Sequence, residues 1–205
     1  MKIPDTMKAV LLTGNGDFDK LVFTDGAPTP QPKPGEVLIK VAAAAINNTD
    51  INTRIGWYSE DVAGEKSTND NGEQEASTWS GAPINFPLIQ GGDCCGHIVA
   101  VGRNVHPSRI GERVIVRNVL KSPVDYRPWE CVVFGSEMDG AFAQYAVAPS
   151  SETDKVACDW TDEELACIPI AYTTAECMLD RAYVGAERVL ITGASGGVGS
   201  AAVQL

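Results

Sequence analysis

Along the first 150 residues the hydrophobic positions fall into short runs broken by glycine and proline. Met7-Lys8-Ala9-Val10-Leu11-Leu12 predicts a strand, Gly14-Asn15-Gly16-Asp17 a turn and Leu21-Val22-Phe23 a partner strand. From Ala27 to Pro34 there are four prolines, which predict an extended surface connector. Pro34-Gly35 then turns into Glu36-Val37-Leu38-Ile39-Lys40-Val41, a strand with partial polar alternation. Asn47 to Asp50 ends the apolar run with residues that favour turns and caps. The stretch 59–80 is polar and acidic with few aliphatic side chains, and predicts a surface insertion; the alternative is a flap near a substrate. Strands resume at Ile98–Val101 and Arg113–Val116, with glycine turns at Gly102 and Gly111, and Phe142–Val147 predicts another. Many short strands with such turns predict a small β-barrel or sandwich.

The pattern changes near residues 150 to 160, where a domain boundary is expected. Thr161-Asp162-Glu163-Glu164 has the form of an N-cap with a capping box opening a helix. A second helical stretch is predicted from Thr173 to Ala182. An apolar run, Arg188-Val189-Leu190-Ile191, then enters Thr192-Gly193-Ala194-Ser195-Gly196-Gly197-Val198-Gly199, and small residues suited to a helix follow. Strand, glycine turn and helix start are the parts of a dinucleotide phosphate loop. The glycines allow a tight turn and close approach of a pyrophosphate, and the first helical turn offers amides and a favourable dipole. A nucleotide-triphosphate loop would need Gly-Lys-Ser/Thr, and no lysine follows Gly199. The remaining alternative is a structural glycine turn. The fold class predicted is mixed α/β, with residues 1–155 as one β-rich domain and 156–205 as helices followed by the first strand and loop of a second.

Composition narrows the function classes. The chain has 205 residues, a formal net charge of -11 and no basic run, which argues against nucleic acid as a partner. No membrane-length apolar segment and no signal-peptide pattern stand out, so no membrane partner and a cytoplasmic location are expected. The six cysteines show no C-x-x-C spacing and are expected to be reduced. Asp93-Cys94-Cys95-x-His97 has metal-ligand residue types, but neighbours on a strand point to opposite faces, so Cys94 and Cys95 are expected to pack apart.

Taken in order, several segments resemble the medium-chain dehydrogenase/reductase superfamily, in its quinone-oxidoreductase-like, zinc-lacking branch. They are Met7–Val10, Pro34–Val41, Asn47–Asp50, Arg54–Tyr58, Gly96–Gly102, Ile110–Val114, Gly140–Tyr145, Ala171–Ala175 and the glycine loop. Thr192-Gly193-x-x-x-Gly197-x-Gly199 also fits short-chain dehydrogenase spacing, but that family carries the loop near its N-terminus. The resemblance implies a GroES-like catalytic barrel followed by a Rossmann domain, and a length well beyond this chain.

It also implies a site. Where zinc alcohol dehydrogenases hold catalytic zinc, this sequence has Asn47, Gly92 and, by position, Ile170, so no metal site is expected. Asn47 matches the active-site asparagine of quinone reductases, Tyr58 their tyrosine near the nicotinamide, and Thr49 a relay hydroxyl of the zinc enzymes. A tyrosine common in the quinone reductases is Asn52 here. Thr174, Gly193, Ser195, Gly196, Gly197, Val198 and Gly199 are implied as cofactor-binding. The structural alternatives are that Asn47 and Thr49 satisfy a turn, that Tyr58 is a core-edge aromatic and that Thr174 caps a helix. The implied cofactor is NADPH (NADP) in preference to NAD, although the residue that separates them is expected some 20 residues past the loop. The implied activity is hydride transfer to a quinone, enone or related carbonyl, in a homodimer at full length. Rival readings are a zinc-dependent alcohol dehydrogenase and a non-catalytic nucleotide-binding protein.

Overall fold

A computed structural model describes residues 2–58, 78, 83–120 and 131–205. Its centre is an antiparallel five-stranded sheet. The spatial order is β10 (Thr153–Lys155), β6 (Arg113–Val116), β5 (Cys95–Val101), β3 (Glu36–Ala43) and β9 (Tyr145–Pro149). A second sheet places β1 (Thr6–Leu12) between β2 (Leu21–Pro28) and β4 (Leu88–Ile89), and β7 (Val119–Leu120) pairs with β8 (Val132–Val133). The two larger sheets join where Val10 N–H donates to the Phe142 carbonyl at 2.9 Å beside an Ala9–Ala143 bridge.

β3 explains why the alternation in its sequence was only partial. Val37, Leu38 and Ile39 are all buried, so both faces of this strand are covered. Val37 and Ile39 enter a cluster with Ile98, Val114, Val116 and Phe134, while Leu38 joins Met7, Ala9, Ile89 and Tyr145 on the other side. Each such side chain contributes about 1.5–3 kcal/mol by leaving water. Cys94 and Cys95 separate as expected. Cys94 lies in the first cluster, and Cys95 packs under Leu165 and Ala166.

Beyond the sheets come α2 (Asp162–Ala166), α3 (Pro169–Arg181) and α4 (Gly197–Gln204). The Thr161–Glu164 capping box is present, with Thr161 Oγ1 accepting Glu164 N–H at 3.2 Å and Glu164 Oε2 accepting Thr161 N–H at 2.8 Å. Arg113 fastens this helix to the barrel through Asp162 Oδ1 at 2.7 Å. α3 begins four residues earlier than Thr173, because Pro169 fits a first helical position.

Three expectations need correction. Residues 187–192 form no strand: a strand requires a ladder, no strand pairs with this run among the described residues, and Leu190 is 90% exposed. The strand expected from Phe142 starts at Tyr145, since Phe142 N–H is committed to the Gln90 carbonyl. Thr174 lies within α3 and caps nothing. Residues 59–80, the expected insertion, lie outside the described residues except Thr78, which is buried.

Candidate active site

The site begins where β3 hands over to α1 (Asn48–Ile55), whose N-cap is Asn47. Asn47 and Asp50 form a reciprocal capping box, with Asp50 Oδ2 accepting the Asn47 backbone N–H at 2.8 Å. Asp50 also reaches across the barrel. Its Oδ1 accepts Gly91 N–H at 3.2 Å, and its carbonyl accepts from Gln90 Nε2 at 2.9 Å. One carboxylate therefore fixes the start of α1 against the segment leading into β5.

That segment is packed backbone to backbone. A Cβ on Gly135 would lie 2.7 Å from the Gly91 carbonyl carbon, and one on Gly140 would lie 2.4 Å from its oxygen. Glycine is required here by close approach, and the result is a rigid floor.

Asp93 emerges from this floor. Its Oδ2 accepts from Asn47 Nδ2 at 2.8 Å and its Oδ1 from Ile170 N–H at 2.8 Å. Burial pushes its carboxyl up to about 6, and the Asp50 charge adds to the rise against the hydrogen bonds that oppose it. Burial raises Asp50 as well. Among the described residues no Lys, Arg or His pairs with either carboxylate.

A cleft of about 430 Å³ opens here, lined by Asp50 but not by the buried Asp93. It brings together Asn47, Thr49, Gly92, Ile170, Thr174, Gly197 and Val198, so α1, α3 and the start of α4 face one space. Tyr58, Gly193, Ser195, Gly196 and Gly199 do not line it. Tyr58 OH receives Asn52 Nδ2 at 3.4 Å, Ser195 is exposed, and Gly196 is the N-cap of α4. Gly193 and Gly199 shape the loop. Gly193 has φ 66, and a Cβ on Gly199 would sit 2.1 Å from the Gly193 carbonyl oxygen. α3 and α4 pack through Ala171, Ala175 and Ala201, which aims the first turn of α4 at the cleft. That turn has amides without intrahelical acceptors and no acidic side chain. A pyrophosphate fits it on charge and donors.

At the three positions that the resemblance matches to zinc ligands the side chains are a carboxamide, a hydrogen and a hydrocarbon, which are poor ligands or none. A Cβ on Gly92 would lie 2.7 Å from Ile170 Cδ1, so any side chain at this position would have to displace the tip of that isoleucine. Among the described residues no group of three His, Cys, Asp or Glu is placed to hold a metal.

Sequence reasoning passed over Asp93 and Asp50 as site residues. The signal was present: an acidic residue after two glycines and before a buried run is rare without a specific partner. Asn118, buried on the cleft wall with Oδ1 3.4 Å from Thr173 Oγ1, carried no sequence signal.

Residues 33–158 match the family model described as the alcohol dehydrogenase GroES-like domain. A structure assigned to an alcohol dehydrogenase of Sinorhizobium meliloti 1021 is 45% identical, covering 98% of this chain and 54% of that one, with a TM-score of 0.85. A cobalt- and zinc-bound thermostable alcohol dehydrogenase of Pyrobaculum aerophilum is 28% identical over 97% of this chain and 55% of that one, with a TM-score of 0.75. The 2-methylene-furan-3-one reductase of Solanum lycopersicum is 28% identical over 100% of this chain and 45% of its own length. The chain spans a third to a half of the length of the curated relatives it matches.

Proposed function

The chain belongs to the medium-chain dehydrogenase/reductase superfamily through its alcohol dehydrogenase GroES-like domain, and from that premise we propose that it is the catalytic portion of a zinc-independent, nicotinamide-dependent reductase of enones, quinones or related carbonyls. The observation that carries this reading is the Gly92–Ile170 contact together with the amide of Asn47. Of the three positions that the resemblance matches to zinc ligands, two carry a glycine and an isoleucine and the third the carboxamide of Asn47, which supports a site that works by hydrogen bonding.

The chemistry follows from charge. The amides at the first turn of α4, together with Thr174, would hold a nicotinamide cofactor, whose reduced form would supply a hydride. Without a Lewis acid, alcohol oxidation loses its means of acidifying the hydroxyl. Adding hydride to the β-carbon of a conjugated carbonyl instead moves negative charge onto an oxygen. An Asn47 N–H directed at that oxygen stabilises it by about 3 kcal/mol if well placed. The product then needs one proton at the α-carbon, which the Thr49 hydroxyl on the cleft wall would relay from water, regaining its own proton in the same step. The tomato relative is named for reduction of such a methylene ketone. NADPH is the proposed donor, a small molecule the proposed partner, and a homodimer the proposed assembly. None of the described helices is long and apolar enough to cross a membrane.

The test is metal analysis combined with a screen of NADPH and NADH oxidation against quinones, enones and alcohols on the intact protein. The reading expects turnover of conjugated acceptors without stoichiometric zinc. Zinc bound near Asn47, or oxidation of simple alcohols abolished by a chelator, would support a zinc dehydrogenase instead. Nucleotide binding with no turnover would support a non-catalytic protein.

A further inference from the structure

We propose that Asp93 is a positioning residue whose two carboxylate oxygens, each occupied by one N–H, lock the Asn47 amide and the start of α3 so that the remaining Asn47 amide hydrogen is presented to the cleft. Its consequence for turnover rests on the reductase reading above; its geometry does not.

Asp93 is 1% exposed and has no cationic partner among the described residues. Such a group is costly to bury, and its neighbours in sequence, Gly92 and Cys94, pack against hydrocarbon. Its acceptors meet two donors from two different elements. Asn47 Nδ2 comes from the head of α1 and the Ile170 N–H from the first turn of α3, each at 2.8 Å. A primary amide carries two hydrogens and one carbonyl. The Asn47 carbonyl belongs to the capping box at the head of α1. One hydrogen is held by Asp93, and among the described residues the second meets no acceptor, on a residue that lines the cleft.

The groups facing Asp93 are few. Asp50 on α1 opposes its ionisation, Cys94 beside it stays protonated through burial, and the two N–H donors favour the carboxylate. Because both oxygens accept, an isosteric asparagine cannot replace the carboxylate. It offers one acceptor and one NH₂ to two donors, so one contact becomes donor against donor.

The variants are Asp93→Asn and Asn47→Ala, singly and together, assayed with NADPH and an enone in the intact protein, with ¹⁵N side-chain amide spectra of the chain. D93N is expected to lower kcat about 10-fold with KM nearly unchanged. In the N47A background it is expected to cost nothing further, because both changes remove one placed hydrogen. The Asn47 side-chain resonances are expected to move in D93N, and in wild type one of the two hydrogens is expected to exchange slowly and the other fast. An equal loss of kcat from D93N in both backgrounds would overturn the proposal, and so would unmoved Asn47 resonances. If D93N does not fold, the exchange measurement on wild type decides, and two equally fast hydrogens overturn it. If wild type turns over no acceptor, the reductase reading fails by itself and the resonance and exchange results still decide the positioning role.

Discussion

At Asp93 the folded carboxyl is raised to about 6 from 3.8, so the native state holds a proton that the unfolded chain has released. Stability from this group is therefore fully present below about pH 4 and is lost as pH rises through 6, by no more than about 1.4 kcal/mol per pH unit. Urea titrations between pH 4 and 7 are expected to show wild type losing stability relative to Asp93→Asn as pH rises; a relative gain would contradict the assignment. Position 92 gives a second expectation. Gly92→His alone drives a side chain into Ile170 and costs about 1–3 kcal/mol by overpacking. It is expected to bind no zinc until Ile170→Cys makes room, as metal analysis of the single and double variants would show. The polar residues from Asn47 to Asp50 marked a turn or cap, and Asn47 is the N-cap of α1, whereas Asn47 and Thr49 stood out as site candidates only through the family resemblance. Asp93 was not legible, because its role depends on Ile170, which lies 77 residues away.

The elements read most clearly where local chemistry alone decides them. β6 has the bounds its sequence predicted, and the α2 cap is the one its four residues spell. Thr161→Ala is expected to cost about 1 kcal/mol in chemical denaturation, and no measurable loss would mean the cap is redundant with the Arg113–Asp162 tie. α2 also seals Cys95. Burial, then the nearby Asp162 charge, pushes its thiol up to about 11. At pH 8 the exposed Cys158, Cys167 and Cys177 are expected to alkylate well before Cys95, and mass spectrometry after a short pulse would show the order. The run 187–192 was misread because its side chains carry strand propensity, whereas a strand also needs a neighbour to bond.

For the whole molecule, the sheets and the cleft are built by this chain, while among the described residues the proposed nucleotide side rests on α3 and α4. The sequence told the architecture through order: strands first, then helices, then a glycine loop. It did not tell how the cleft closes, since that depends on the packing of Ala171, Ala175 and Ala201. With Leu190 uncovered and no ladder at 187–192 among the described residues, the 205-residue chain is expected to bind NADPH poorly in calorimetric titration, and micromolar affinity would show that loop and helices suffice. Conjugate reduction without a metal is decided by following deuterium from 4-deuterated NADPH into an enone with chelator-stripped intact protein. One deuterium is expected on the β-carbon of a saturated ketone, with no change on adding zinc. Deuterium on the carbonyl carbon of an alcohol, formed only after zinc is restored, would contradict it.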